Sequence, residues 1–197
     1  VPTRTLYLIR HGAADAFGTL TEAGREQCRL LGRRLAELPV DVIWHSPLSR
    51  AADSAAIIGQ QLPRVLVDEA PELVDHVPHV PDPGQLWGTW TAFFDGYGPE
   101  EAEACRRTSS RLTARFATSN PPGNRATHEV LVTHAYPVAW MVREALGAPA
   151  LSWLSLTRID NTGVSVIEFA DGELPSISAV NDRSHLAGAV ESSRGHS

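Results

Sequence analysis

Three apolar runs in this chain end at, or lead within a few residues to, side chains that bind anions. Thr5 to Ile9 stops at Arg10-His11-Gly12, Val40 to Trp44 leads through His45-Ser46-Pro47-Leu48-Ser49 to Arg50, and Glu129 to Thr133 stops at His134. In an open parallel α/β sheet the ligand crevice lies outside the carboxyl ends of the strands. Strands arranged in that way bring two arginines and two histidines to one rim. A guanidinium can offer two parallel hydrogen bonds to the oxygens of a phosphoryl group, so the expected guest is a phosphate.

A second group with chemical potential is Asp75, His76, His79 and Asp82, whose Asp-His-x-x-His spacing resembles that of metal ligands. Pro71, Pro78, Pro81 and Pro83 interrupt this stretch and oppose the helix that would bring the four together. No metal and no cofactor is expected. The remaining histidines, His45, His128, His185 and His196, are read as structural, and Arg25, Arg29, Arg33, Arg34, Arg106, Arg107, Arg111 and Arg115 as solvated helix faces.

The elements that must position the rim follow from periodicity. After the first strand, Thr21 precedes apolar positions at Cys28, Leu31, Leu35 and Leu38, which predicts a helix capped by Thr21 and closed by Pro39. Ser46 and Pro47 predict the start of a second helix through Ala51, Ala55 and Ile58, with Arg50 in its first turn. Arg64 to Val67 reads as a third strand, and Asp68 to Gly84 as an irregular connection. Gly84 to Tyr97, Pro99 to Phe116 and Pro137 to Leu146 show helical spacing, with a polar linker over 121–127. Alternation at Val164, Val166 and Phe169, a turn at Asp171-Gly172, and a further run from Leu174 to Val180 predict a β-hairpin. Strand-helix alternation over the first 146 residues implies an α/β fold, a three-layer α/β/α arrangement with a mostly parallel central sheet and a C-terminal β-hairpin. Residues 1–186 are expected to form one domain and 187–197 a flexible tail.

Composition limits the partners. The chain has 197 residues, 43% apolar and 20% charged, as in ordinary globular proteins. Its net charge of −6 leaves no basic surplus for a nucleic-acid backbone. All 17 cationic side chains are arginines, which excludes Schiff-base chemistry and any lysine-dependent phosphate loop. Cys28 and Cys105 are too few for a disulfide framework. No signal peptide and no membrane partner are expected, and the expected location is cytoplasmic. Oligomeric state does not follow from the pattern.

Four ordered motifs carry a resemblance. Leu8-Ile9-Arg10-His11-Gly12, Leu20-Thr21-Glu22-Ala23-Gly24-Arg25-Glu26-Gln27, Ser46-Pro47-Leu48-Ser49-Arg50-Ala51 and Val132-Thr133-His134-Ala135 together resemble the histidine phosphatase superfamily, the phosphoglycerate-mutase-like group. Val180-Asn181-Asp182-Arg183-Ser184-His185-Leu186 is similar to the C-terminal end of its small bacterial phosphatases. The resemblance implies a metal-independent phosphomonoesterase acting on a small phosphorylated metabolite, with His11 as nucleophile and a phosphohistidine intermediate. It also implies that Arg10, His11, Arg50 and His134 bind the phosphoryl oxygens. The usual Leu-x-Glu with its following Gly-x-Trp-Glu-Gly stretch is absent, and Leu73-Val74-Asp75 is the segment that reproduces the spacing of the proton donor. Asp75 is accordingly the expected general acid, with Glu72 as runner-up. Two rival readings are a mutase that returns the phosphoryl group to its substrate and a phosphate-binding module without turnover.

Overall fold

The strands are short runs of Leu, Ile and Val, and the computed structural model, which describes residues 2–120 and 124–187, joins six of them in one sheet. They are β1 (Thr3–Arg10), β2 (Val42–His45), β3 (Leu66–Glu69), β4 (Thr127–Thr133), β5 (Val164–Ala170) and β6 (Ser176–Asp182). Their order across the sheet is β3-β2-β4-β1-β5-β6. The first four in that order run parallel, whereas β5 is antiparallel to β1 and β6 to β5. The helices are α1 (Glu22–Leu35), α2 (Ser49–Gly59), α3 (Thr89–Phe93), α4 (Pro99–Phe116) and α5 (Ala135–Ala145).

Alternation along β1 decides the layers, because successive side chains of a strand point to opposite faces. Tyr7 and Ile9 pack with Leu31 and Leu35 of α1 and with Ala55 and Ile58 of α2. Leu6 and Leu8 pack with Leu112 and Phe116 of α4 and with Val138 and Met141 of α5. Each Leu, Ile, Val, Phe or Met among them, fully buried, contributes about 1.5–3 kcal/mol of apolar transfer free energy. The three-layer α/β/α fold with its mostly parallel sheet and C-terminal hairpin is therefore the one expected. Among the described residues, no helix is long and apolar enough to cross a membrane.

Several boundaries differ from the sequence expectation. The segment Gly84 to Tyr97 is not one helix: a single 3-10 turn at Pro83–Gln85 precedes a five-residue α3, and Gly88 between them has φ +61°. Its helical spacing of aromatics serves a separate cluster in which Leu86, Trp90 and Phe94 pack with Trp153 and Val77. Neither Ser46 nor Pro47 starts α2, which begins at Ser49 with Leu48 as its uncapped entry residue. Strand β3 is shifted to Leu66–Glu69 and β6 to Ser176–Asp182, and α5 begins two residues early, directly after His134. The predicted linker is described only from residue 124, and the predicted tail beyond Ala187 lies outside the described residues.

The loop after β1 is clamped by the start of α1. Thr21 caps the helix by accepting from Gly24 N at 3.0 Å, and its backbone N–H donates to Ala13 O at 3.0 Å. Gln27 Oε1, one turn on, accepts from Ala13 N at 2.9 Å. This proximity needs two glycines. A Cβ on Gly12 would lie 2.6 Å from Gly24 O, and one on Gly24 would collide with the Ala13 carbonyl oxygen and sit 2.8 Å from Ala13 N. Gly24→Ala is expected to cost about 1–3 kcal/mol of stability through this overpacking. Urea unfolding measures it, and a variant as stable as the parent would show that loop and helix are not in this contact.

Candidate active site

Where the parallel strands end, every backbone polar group of residues 11–13 is hydrogen-bonded. Arg10 O accepts from Thr162 N at 2.8 Å, His11 N donates to Thr133 O at 2.9 Å, and His11 O accepts from Asn161 Nδ2 at 2.9 Å. Gly12 N donates to Ser54 Oγ at 3.0 Å, and that hydroxyl donates back along α2 to Arg50 O at 2.6 Å. The last free carbonyl, Gly12 O, lies 2.7 Å from His11 Nδ1. An amide carbonyl only accepts, so Nδ1 carries the hydrogen. Nε2 is then the bare nitrogen, and Arg50 Nε donates to it at 3.1 Å.

The other expected residues gather around this ring. His134 is edge-on to His11 with ring centroids 5.1 Å apart. Its Nε2 lies 2.8 Å from Ser46 Oγ, and Leu48 N donates to the same oxygen at 3.3 Å. His134 Nδ1 is buried with no hydrogen-bond partner among the described residues and lies 3.7 Å from Asp75 Oδ2. Asp75 also accepts from Arg50 Nη2 at 2.8 Å while its side chain stays 40% exposed. Arg10 points its guanidinium across the rim, with Nη1 donating to Ile159 O at 2.7 Å. Arg10, His11, Asp75, His134, Ala135 and Tyr136 line a cleft of about 260 Å³.

Burial and charge keep both imidazoles neutral. Desolvation, reinforced by Arg10 and Arg50, overcomes the Gly12 hydrogen bond and lowers the His11 pKa to about 4. Desolvation, followed by His11 and the two arginines, lowers that of His134 to about 2. Burial, with Asp75 nearby, raises the Tyr136 phenol, which stays protonated. Two helices, α2 and α5, start at the cleft without an acidic residue in the first turn, so their positive ends add to a field that favours an anion.

Other candidates are placed elsewhere. The Glu72 carboxylate pairs with Arg115 Nη1 at 2.6 Å, toward α4 and not among the cleft residues. Both ring nitrogens of His76 are engaged, Nδ1 with Val74 O and Nε2 with Ser109 Oγ, and His79 stacks against Trp140. No cluster of metal-binding side chains occurs among the described residues, so Asp75, His76, His79 and Asp82 do not assemble as a ligand set. The sequence reading missed Ser46, Ser54, Tyr136, Asn161 and Thr162. Ser46 looked like a helix cap and is the partner of His134. The turn-forming run Asp160-Asn161-Thr162-Gly163 was the signal available for the last two.

The chain is similar to known proteins over most of its length. The pattern of the histidine phosphatase superfamily (branch 1) matches residues 6–183. The chain is 29% identical over 189 residues to the mitochondrial serine/threonine-protein phosphatase Pgam5 of Caenorhabditis briggsae, covering 93% of this chain and 65% of that protein. It is 32% identical over 164 residues to the mitochondrial serine/threonine-protein phosphatase PGAM5 of Homo sapiens, covering 79% of this chain and 54% of that protein. The chain thus spans a little over half to just under two thirds of these curated relatives. Among solved structures, the alpha-ribazole phosphatase from Shigella flexneri shares the fold with a TM-score of 0.69 at 20% identity, over 91% of this chain and 96% of that one.

The neutral imidazoles predict a pH dependence of stability. Unfolded histidines titrate near 6.5, while folded His11 and His134 hold values of about 4 and about 2. Between these limits the unfolded chain binds more protons, so stability is fully present above about pH 6.5 and falls as the pH is lowered. The slope approaches about 1.4 kcal/mol per pH unit for each group. Unfolding free energies between pH 7 and 5 check this, and a flat profile would show that both rings titrate normally in the folded protein.

Proposed function

The chain belongs to the histidine phosphatase superfamily, and on that premise we propose that it is a metal-independent phosphomonoesterase working through a phosphohistidine at His11. One observation carries the reading: His11 Nε2 is the bare nitrogen of a neutral ring, set beside the Arg50 guanidinium. Its lone pair attacks phosphorus, the bond to the leaving oxygen breaks, and Asp75 gives that oxygen a proton. Water then attacks the phosphohistidine while Asp75 takes a proton back, which releases phosphate and restores Nε2. Arg10 and Arg50 bear the charge that spreads over the phosphoryl oxygens, the main protein contribution to such a transfer. His134 adds a hydrogen bond from Nδ1, the nitrogen with no partner among the described residues, while Nε2 accepts from Ser46.

Asp75 is favoured over Glu72 as the acid because Asp75 lines the cleft, whereas Glu72 pairs with Arg115 outside it. Hydrolysis is favoured over a mutase, which must hold a second anionic group, because no arginine occurs between Asp68 and Pro99. The substrate is read as a small phosphorylated metabolite, in keeping with the small cleft. The names of the Pgam5 relatives favour a second reading, a phosphoserine or phosphothreonine side chain on a protein. Relative kcat/KM for sugar phosphates and for phosphopeptides distinguishes the two. Free thiols at Cys28 and Cys105 support a reducing, cytoplasmic location.

Brief exposure to labelled substrate in EDTA, followed by quenching, should trap an acid-labile, base-stable phosphoenzyme that His11→Ala abolishes. Label surviving in His11→Ala would reject the nucleophile, and labelling that needs an added divalent ion would reject metal independence. Removing the acid should matter most where the leaving group needs a proton. Asp75→Asn is expected to slow an alkyl phosphate by about 100-fold to 10,000-fold and p-nitrophenyl phosphate far less. Equal slowing of both substrates would assign the proton to another group.

A further inference from the structure

Arg10 is oriented from outside its own strand. Ile159 O accepts from its guanidinium, Thr162 N holds its carbonyl, and the Asn161 amide holds the carbonyl of His11. One loop, Arg158 to Gly163, supplies all three contacts. The loop contains a strained residue: Thr162 is fully buried and β-branched, yet has φ +57°. Such a conformation persists only when its surroundings enforce it.

Those surroundings come from the end of β6. The β5–β6 register shifts between Val164/Asp182 and Val166/Ala179, so one extra β6 residue is accommodated there. Asn181 lies in this bulge with φ +54°, and bulges of this kind re-aim a side chain. Its Oδ1 accepts from Asp160 N at 2.8 Å, and its Nδ2 donates to Arg158 O at 3.2 Å and to Asp160 Oδ2 at 2.9 Å. His185 follows in the 3-10 turn Ser184–Leu186 and meets the same loop, its Nε2 lying 3.0 Å from Thr162 Oγ1. That hydroxyl has one hydrogen and donates it to Asn161 O at 2.7 Å. His185 must therefore be the donor. The end of β6 and the turn after it thus grip the loop at Arg158, at Asp160 and at the strained Thr162.

We propose that Asn181 and His185 are positioning residues, which fix the 158–163 loop so that it holds Arg10 and His11 in reacting geometry. The proposal rests on the phosphatase reading above. It assigns a task to His185, which lies outside the cleft and touches no expected substrate atom, and it explains why the loop carries strain at the residue that bonds Arg10 O.

The test uses the full chain with p-nitrophenyl phosphate and with vanadate, which imitates the five-coordinate phosphorus of the transition state. His185→Leu removes the donor and keeps the volume. It is expected to lower kcat by roughly 10-fold to 100-fold, the scale that a displacement of about 1 Å produces, with KM little changed and vanadate bound more weakly by a similar factor. His185→Gln, which keeps a donor nitrogen, should restore most of the loss. In an Arg10→Ala background, adding His185→Leu should cost clearly less than it does in the parent, because the part that acts through Arg10 is already lost and coupled residues do not add. Unchanged kcat in His185→Leu, or losses that simply add, would overturn the proposal. Should His185→Leu fail to fold, Asn181→Ala cuts the loop's other tie and carries the same expectations. Calorimetric binding of vanadate is independent of turnover and separates the two readings. A parent protein that binds vanadate but hydrolyses nothing overturns the phosphatase reading, whereas a His185→Leu variant that binds it as tightly as the parent overturns this one.

Discussion

The hydrogen bond from His11 Nδ1 to Gly12 O decides the chemistry of the cleft. It fixes the tautomer, so the other nitrogen keeps its lone pair. For that bond to hold, the peptide that accepts it must not move, and every neighbouring polar group of the loop is accordingly engaged from outside. β4 takes His11 N, α2 takes Gly12 N through Ser54, α1 takes both polar groups of Ala13, and the 158–163 loop takes the carbonyls of Arg10 and His11. A buried amide left without a partner would cost about 1–3 kcal/mol. Satisfying this loop therefore couples four separate elements to the orientation of one ring.

The same burial sets the electrostatics. Removing imidazoles from water disfavours their charged forms, and two arginines nearby disfavour them further, so the histidines stay neutral while the guanidiniums stay charged. The rim then holds two fixed positive charges and one carboxylate, Asp75, within a protein whose net charge is −6. Such a local inversion of sign favours a doubly negative phosphoryl group over neutral ligands, and in a partly desolvated cleft the preference is stronger than it would be in water.

Much of this was legible in the sequence because strand ends mark themselves. An apolar run that stops at Arg10-His11, or at His134, states both the element and the place of the polar residue. Arg50 was legible as the first turn of a helix. Less could be read where one residue type serves two uses. Ser46 before Pro47 has the form of a helix cap, and only the approach of β2 to β4 shows that it serves His134. The aromatics between Leu86 and Phe94 have helical spacing, but Gly88 turns the chain and the rings pack round Trp153 instead. Asp75 was reached through spacing and Glu72 could not be dismissed that way, because the Arg115 that withdraws it lies 43 residues along the chain.

Direction was the other hidden quantity. A hairpin near the C-terminus was evident from alternation, but not that its first strand would run against β1. With Ile9 opposite Val164, the antiparallel pairing brings the beginning of β5 to the end of β1, so the connection before β5 arrives at the cleft. A parallel strand would have delivered that connection to the far edge of the sheet, where it could not reach Arg10 or His11. The second reversal acts in the same way: with Val164 opposite Asp182, the end of β6 returns to the rim and brings Asn181 and His185 with it. The two antiparallel strands thus extend the sheet and also return the chain twice to the face where the parallel strands end. This places both the loop that holds the backbone of Arg10 and His11 and the residues that hold the loop.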